Sequence, residues 1–165
     1  MSGRVGDEGL VVRKIREGTV IDHIPVGRAL SVLRILGVSL HGRHRIAVLI
    51  NVESRKIGRK DIVKIEGLEP RLEDLDKIAL VAPTATVNIV KDYRVIAKRK
   101  VEPPREVVGI LRCVNPTCIT RQEREPVTPR FVRVSVKPLM YRCVYCGSIL
   151  TEKDIVEQLA GQALD

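Results

Sequence analysis

The four cysteines of this 165-residue chain fall in its last third, in two closely spaced pairs. Each pair can direct two thiolates at one point, and four thiolates complete the closed tetrahedral coordination of a structural Zn²⁺. A catalytic zinc would instead keep one position open for water or substrate. The sequence therefore predicts one structural zinc ion, whose four ligands are Cys113, Cys118, Cys143 and Cys146.

Two disulfides, or a redox-active C-x-x-C pair, would use the same cysteines. The chain shows no signal peptide, which would indicate an oxidising compartment, and its C-x-x-C does not open the helix of a thioredoxin-like unit. Its apolar runs are also shorter than the roughly 18 residues that cross a bilayer. We therefore expect zinc rather than disulfides, in a soluble, cytoplasmic protein with no membrane contact.

The chain is basic, with 29 Lys and Arg against 20 Asp and Glu, and its net charge of +9 is compatible with nucleic acid binding. Residues 1–102 carry a net charge of +7, and the cysteine-containing remainder carries only +2. Three Tyr, one Phe and no Trp leave little from which to build a base-stacking surface. We expect the positive charge to meet a small or local partner and not nucleic acid.

Apolar periodicity predicts the elements of residues 10–102 in the order β, α, β, β, α, β, with an extra strand at the end. A strand, a turn at Gly18 and a short strand form the first β element, and a helix follows over residues 26–36. A second helix follows Pro70, with Leu72 and Leu75 on its apolar face. This order is typical of an α+β, ferredoxin-like fold, with an antiparallel sheet and two helices.

Two consecutive prolines, Pro103 and Pro104, break the pattern and predict a domain boundary. We expect a flexible leader over residues 1–9, a first domain over residues 10–102, and a small, zinc-ribbon-like β domain over residues 103–165. The last of these is too short for a large core, so a metal ion would stabilise it. Within it, residues 130–136 alternate as a strand does, and Thr151 is a candidate N-cap of a terminal helix.

Polar side chains interrupt the predicted strands of the first domain. They are Asp22, His23, Lys60, Lys64, Asn88 and Lys98. Two or more cations can hold a triphosphate, and a carboxylate can accept a hydrogen bond from a sugar hydroxyl or a base amino group. The alternative is that these are outward positions of half-exposed strands, whose charges are simply solvated.

Enzyme signatures are absent from the sequence. It contains no Walker A loop and no G-x-G-x-x-G, H-E-x-x-H or G-x-S-x-G motif, so we expect a protein without catalytic residues of its own. His41 and His44 flank a glycine and lack neighbouring acids or thiols, a pattern typical of a solvated turn and not of a second metal site.

Six sequence blocks together carry a resemblance to a known family. In chain order they are T-V-I-D-H-I-P, G-R-K-D-I-V-K-I-E, L-V-A-P-T-A-T-V-N, Y-R-V-I-A-K, C-V-N-P-T-C and C-V-Y-C. In this combination the chain resembles the regulatory chain of aspartate carbamoyltransferase. The resemblance implies a noncatalytic subunit in pyrimidine biosynthesis that binds CTP, UTP or ATP. It also implies a homodimer formed through the first domain, and a zinc domain that docks on the catalytic chain.

The same resemblance implies a nucleotide site in the first domain. Lys98 and His23 would contact the phosphates, while Lys64 and Asp22 would contact the sugar. The full nucleotide-binding set is Val12, Arg13, Lys14, Ile15, Val20, Asp22, His23, Lys64, Asn88, Val90, Tyr93, Val95 and Lys98.

A zinc-ribbon protein that binds nucleic acid or associates with transcription is the alternative, because it too would combine four cysteines with a basic composition. Its binding would fall steeply as salt concentration rises, whereas a regulatory chain predicts saturable binding of CTP or ATP. An enzyme acting on a nucleotide is a third class, disfavoured because the sequence shows no pairing of a nucleophile with a base.

Overall fold

The computed structural model describes residues 14–39, 41–124 and 127–160. The predicted leader, residues 1–9, and the start of the predicted first strand, residues 10–13, lie outside the described residues. Among the helices of the described ranges, none is both long enough and apolar enough to cross a membrane.

The first part of the chain forms a five-stranded antiparallel sheet with two helices, which we call the larger sheet and its helices. The elements are β1 Gly18–Ile24, α1 Ala29–Ile35, β2 Ile46–Ser54, β3 Gly58–Glu66, α2 Leu72–Val81, β4 Thr86–Lys91 and β5 Arg94–Lys100. The strand order is β2-β3-β1-β4-β5, with every neighbouring pair antiparallel. Strands β1 to β4 have the ferredoxin-like order and β5 is the extra strand, so the predicted fold is confirmed.

The core of this part lies between the sheet and the two helices. Ile21 of β1, Val63 of β3 and Val87 of β4 are buried there together with Val32 of α1 and Ile78 of α2. Successive residues of a strand project to opposite faces. The residues that precede and follow each of these buried strand residues therefore lie on the face of the sheet that the helices do not cover.

Gly18 does not form the predicted turn, and that prediction is wrong. Residues 14–17 form no strand, and Gly18 begins β1, paired with Glu66 of β3 and Val90 of β4. A Cβ on Gly18 would lie 2.1 Å from the carbonyl oxygen of Ile65, and the φ of Gly18 is +144°. Glycine is needed here because β3 approaches closely, and the sequence pattern alone resembles a turn signal.

Helix α1 begins three residues later than predicted, because Pro25 starts a turn and not the helix. The Arg28 N–H donates to the Pro25 carbonyl at 3.2 Å, and Gly27 has a φ of +90° that no right-handed helix contains. The helix start is fixed by Asp61 of β3, whose Oδ2 accepts from Gly27 N at 2.9 Å and from Ala29 N at 3.2 Å. A distant carboxylate therefore decides where the helix begins.

Asp61 is fully buried, and its Oδ1 accepts a third hydrogen bond from Asn51 N at 2.9 Å, at the bulge of β2. We expect Asp61→Asn to lower the free energy of unfolding by about 2 to 3 kcal/mol. The reason is that an amide nitrogen cannot accept, so a buried backbone N–H is left unpaired. Chemical denaturation measures the change. Asp92→Asn, in the exposed β4–β5 turn, should shift it by less than about 0.5 kcal/mol, and equal losses in both variants would contradict the prediction.

Helix α2 confirms the predicted apolar face except in its first turn. Ile78 and Ala79 are buried and Leu75 is partly buried, but Leu72 is 73% exposed. Leu72 lines an open groove between α2 and β5. Strand β5 is an edge strand whose residues are all exposed, so it gives Leu72 little cover.

The last part of the chain forms a four-stranded antiparallel sheet, which we call the smaller sheet, and a terminal helix. The elements are β6 Glu106–Val108, β7 Arg130–Val136, β8 Leu139–Cys143, β9 Ile149–Thr151 and α3 Glu152–Ala160. The predicted strand 130–136 is confirmed. Thr151 caps α3 as expected, since its Oγ1 accepts from Asp154 N at 3.3 Å while Asp154 Oδ2 accepts from Thr151 N at 2.8 Å. Phe131 and Tyr141 are fully buried in the core of this sheet.

Candidate metal centre and polar sheet face

Each cysteine pair lies in a loop at the end of a strand of the smaller sheet. Cys113 and Cys118 lie between β6 and β7, Cys143 is the last residue of β8, and Cys146 lies in the turn to β9. The second turn closes by a hydrogen bond from Gly147 N to the Cys143 carbonyl at 2.9 Å. Cys143 is paired with Phe131 near the start of β7, so both loops lie at the same end of the strands of the smaller sheet.

The four sulfur atoms are spaced for one metal ion. Sγ of Cys113 lies 3.5 Å from Sγ of Cys146, Sγ of Cys118 lies 3.8 Å from Sγ of Cys143, and all four lie within 4.8 Å of one another. Tetrahedral Zn–S bonds of about 2.3 Å place thiolates about 3.8 Å apart, whereas a disulfide would bring two sulfurs to about 2.05 Å. Four sulfur ligands in this geometry fit zinc, and the cysteines are not paired as disulfides.

The surroundings of the sulfur atoms favour a structural role. Burial raises the pKa of Cys113 to about 12 and also raises the pKa of Cys143. Hydrogen bonds from Ser148 lower the pKa of the exposed Cys146 to about 6. A divalent cation would favour the thiolate form of all four, and four thiolates leave no position open for a reacting water.

A row of predicted site residues crosses the larger sheet. Val20 of β1 is paired with Lys64 of β3 on one side and with Asn88 of β4 on the other. Asn88 is paired in turn with Lys98 of β5, and its Nδ2 donates to the Val20 carbonyl at 3.2 Å. Directly opposite residues of antiparallel strands project to the same face. We call this the outer face, because Ile21, next to Val20, points into the core beneath α1 and α2.

The bulge of β1 lies on the outer face beside this row. Lys60 Nζ lies 2.8 Å from Asp22 Oδ1, and the two side chains are only 16% and 25% exposed. His23 has a left-handed backbone with a φ of +57°, and its N–H donates to Asp22 Oδ1 at 2.6 Å. The His23 carbonyl accepts from Thr84 Oγ1 at 2.7 Å. Asp22 and Thr84 therefore hold the strained His23 peptide in place.

The imidazole of His23 lies among positive charges. Its Nδ1 is buried and has no hydrogen-bond partner within the part of the chain that the structure describes. Burial lowers the pKa of His23, and the charges of Lys60, Lys56 and Lys98 lower it further, while Asp22 acts in the opposite direction. An anion placed among these lysines would favour the protonated imidazole and so raise that pKa.

The valines of the predicted site lie on the outer face as well. Val90 of β4 is paired with Gly18 of β1 and with Val95 of β5. Val90 is buried, whereas Val95 is 58% exposed. This end of the outer face is therefore apolar, and the end near His23 is cationic.

The segment before β1 reaches the same apolar end. Tyr93 N donates to the Arg16 carbonyl at 3.0 Å, which ties the β4–β5 turn to the segment that contains Lys14 and Ile15. Ile15 is buried and Lys14 is exposed. The structure thus brings the described members of the predicted set around one face. Two further members, Val12 and Arg13, lie outside the described residues.

Lys60 and Lys56 are not in the site that the resemblance implies, although the structure brings both near His23. The sequence does indicate that Lys60 lies on the same face as Lys64, because residues four apart on one strand share a face. Lys56 lies in the β2–β3 turn, where no periodic signal could have found it.

His41 and His44 lie exposed in the turn before β2. The ring of His44 contacts the Glu66 carbonyl through Nδ1 at 2.9 Å. Within residues 14–39, 41–124 and 127–160, the cysteine cluster is the group of side chains placed to hold a metal ion, and neither histidine belongs to it.

Comparison with known proteins identifies both parts of the chain. The family model described as aspartate carbamoyltransferase regulatory chain, allosteric domain, matches residues 10–102. The chain belongs to this family. The model of the metal binding domain of the same regulatory chain matches residues 105–156, which include all four cysteines.

Two relatives, each named aspartate carbamoyltransferase regulatory chain, are similar over almost the whole length. The protein of Hyperthermus butylicus is 65% identical over 152 residues, which cover 92% of this chain and 95% of the relative. That of Thermofilum pendens is 63% identical over 155 residues, covering 93% and 96%. The resemblance is confirmed. The chain is a noncatalytic regulatory chain with one metal-binding domain, and membership of this family implies a catalytic chain as partner.

Proposed function

We propose that this regulatory chain binds a nucleoside triphosphate on the outer face of the larger sheet and thereby changes the activity of its catalytic chain. The site would serve cytoplasmic pyrimidine biosynthesis, with CTP, UTP and ATP as effectors. The observation that carries the proposal is the cross-strand row of Lys64, Val20, Asn88 and Lys98, which ends beside the lysine-surrounded His23.

The cationic end of the outer face suits the phosphates. Lys98 and the His23 ring lie close enough to influence each other electrostatically, and Lys56 and Lys60 add charge to the same place. Lys60 is engaged with Asp22, so it orients that carboxylate for a sugar hydroxyl while remaining a cation near the phosphates. Several cations at close range are what a triphosphate requires.

The apolar end suits the base. Val95, which is exposed and is paired with the buried Val90, supplies an apolar surface against which a base can lie, and the backbone of the Ile15 segment approaches the Tyr93 turn. Backbone N–H and C=O groups at such a junction can read the hydrogen-bonding edge of a base. Simple solvation of outward charges does not explain why Lys60 is only 16% exposed or why His23 Nδ1 is buried.

We assign the docking of the catalytic chain to the metal-binding domain, with the domain boundary at residues 102–105. The loops that carry the cysteines expose Val114, Val144 and Tyr145. Strand β7 adds a stripe of exposed valines at positions 132, 134 and 136. Clustered exposed apolar side chains are typical of protein–protein contacts, and the metal would hold these loops in shape.

We also propose that two copies associate through β2. Strands β2 and β5 are the two edges of the larger sheet, and β5 carries Lys98 and Val95 of the nucleotide site. The β2 edge exposes Ile50, which is 55% exposed. Edge strands present unpaired backbone groups, so antiparallel pairing of β2 with a second β2 across a twofold axis would cover them and leave both outer faces accessible.

The test of this function combines binding and activity. We expect calorimetry to show saturable binding of CTP or ATP to the isolated chain. Light scattering should give twice the 18.4 kDa of one chain, and the assembled enzyme should change activity when nucleotide is added. The absence of saturable nucleotide binding, together with salt-sensitive binding to duplex DNA, would contradict the proposal and favour a nucleic-acid-binding protein.

A further inference from the structure

Helix α3 packs on both parts of the chain. Ile155 is buried in the core of the smaller sheet, Val156 packs on the core beneath the larger sheet, and Leu159 contacts both. The Gln158 side chain accepts from Arg112 N at 2.6 Å and donates to the Arg112 carbonyl at 2.7 Å, next to the first metal ligand. Because of these two bonds, α3 should move together with the metal site.

The first turn of α3 is joined to the other part of the chain by Arg28. The guanidinium donates to Glu152 Oε1 at 2.7 Å and to the Val81 carbonyl at 2.8 Å. Val81 is the last residue of α2, where the helix dipole favours a cation such as the Arg28 guanidinium. Glu152 is the first residue of α3, where the helix dipole favours a carboxylate. The Arg28 and Glu152 side chains are only 22% and 31% exposed, which reduces screening of the pair by solvent.

The same end of α2 is bonded to the proposed nucleotide site. Arg28 follows His23 by five residues, and Thr84, which donates to the His23 carbonyl, follows Val81 by three. The His23 peptide and the Arg28 guanidinium therefore hold neighbouring points of one short segment, residues 81–84. A displacement of the β1 bulge would therefore reach Arg28 along two routes, through residues 23–28 of the chain and through the segment 81–84.

We propose that Arg28 couples nucleotide binding on the outer face to the position of α3, and through α3 to the metal-binding domain. The inference rests on the proposed nucleotide site. A nucleotide that engages His23 alters the bulge, the contacts of Arg28 with Val81 and Glu152 change, and α3 moves with the metal-binding domain. An effector can act only through contacts that differ between two states, and under this proposal the Arg28–Glu152 pair is such a contact.

The test uses the enzyme assembled with its catalytic chain. We compare the ratio of activities with and without saturating CTP or ATP, at sub-saturating aspartate, for the wild type, Arg28→Met, Glu152→Gln and the double variant. Each single substitution should reduce the logarithm of this ratio by about half or more. The double variant should lose no more than Arg28→Met alone, because the two residues act through one contact. Each variant should still be saturated by nucleotide and should keep the metal content of the wild type, while its nucleotide affinity should change by no more than the coupling that is lost.

Glu157→Gln is the matched control. It removes the same charge from the same helix, but its partner Lys153 and Glu157 itself are 84% and 65% exposed. The control should keep the wild-type ratio. Wild-type ratios in both test variants, additive losses, or losses that accompany an unsaturated nucleotide site or a lower metal content would overturn the inference. A wild-type enzyme that neither binds nor responds to nucleotide would instead reject the proposed function itself.

Discussion

We expect a chain that carries Cys118→Ser to lose its metal ion, to unfold from about residue 105 onward and to fail to bind the catalytic chain. Cys118 is 2% exposed and its sulfur lies 3.8 Å from that of Cys143, so serine would leave a buried hydroxyl among three thiols. The metal-binding part, residues 105–156, is too short to build a large independent core, and a structural zinc ion contributes about 10 to 16 kcal/mol to folding in small metal-dependent domains. Loss of one ligand therefore removes most of the stability of this part.

Elemental analysis measures the metal, hydrogen exchange locates the unfolding, and size-exclusion chromatography follows assembly with the catalytic chain. Thr117→Ala is the control, because Thr117 lies in the same loop and its hydroxyl donates to Asn115 Oδ1, at 2.9 Å, and not to a sulfur ligand. It should keep one metal ion per chain. Full assembly of Cys118→Ser, after verified loss of the metal, would show that the docking surface does not depend on it.

The larger sheet should survive this substitution. Its core beneath α1 and α2 is built from its own strands and helices, and the metal-binding part contributes to it mainly through Val156 and Leu159 of α3. Nucleotide binding by the Cys118→Ser chain should therefore persist, while the effect of the nucleotide on catalytic activity disappears with assembly.

The sequence predicted the elements whose cause is local. Residues 132–136 alternate apolar and polar side chains after Phe131, and β7 spans Arg130–Val136 as predicted. Thr151 is followed three residues later by Asp154, and the two cap α3. Four cysteines with short spacings can meet at one point whatever the fold between them, so the metal centre could be predicted as well.

Features set by distant contacts could not be predicted from local pattern. Asp61 of β3 fixes the start of α1 by accepting a hydrogen bond from Ala29 N, although the two residues are 32 positions apart in the sequence. Gly18 is required by the approach of Ile65, and nothing next to it in sequence shows this. The contact of Arg28 with Glu152 spans 124 residues, so only the folded chain brings the two together.

The outer face falls between these cases. Alternation places Lys64 and Asn88 on the face of their strands opposite to the apolar positions, and this much follows from the sequence, whereas Val20 is itself apolar. Their alignment in one row depends on the register of three strands and on bulges in β1 and β5. Register depends on turns and on packing together, so the sequence alone could name these residues but could not place them side by side.

We expect Lys98→Ala to weaken CTP or ATP binding by about ten- to 150-fold, because a hydrogen bond to a charged group contributes about 1.5 to 3 kcal/mol. Arg99→Ala is the matched control. It removes the same charge from the next residue, but Arg99 is paired with Val87, whose side chain points to the core, so it lies on the opposite face and lines the groove beside α2. Calorimetry on both variants separates a specific phosphate contact from a general effect of net charge. A specific contact predicts weaker binding for Lys98→Ala alone, whereas a net-charge effect predicts the same loss for both variants.

The pH dependence of binding tests the role of His23 separately. In the free chain the pKa of His23 lies below its usual value, mainly through burial, so the imidazole is largely neutral at neutral pH. A phosphate that contacts the ring favours the protonated form and raises that pKa. Wild-type affinity, relative to His23→Gln, should therefore increase as the pH falls through the bound-state pKa, and stop increasing below the free-state pKa.

The comparison with His23→Gln cancels the titration of the nucleotide phosphates, which both proteins experience equally. Parallel pH profiles of the wild type and His23→Gln between about pH 8 and pH 6, together with equal effects of Lys98→Ala and Arg99→Ala, would place the nucleotide elsewhere. Diverging profiles with a specific loss at Lys98 would mean that both groups meet the same anion. In the free chain the charges of the lysines lower the pKa of His23. In the complex the negative charge of the phosphates would outweigh those of the lysines and raise the pKa of His23.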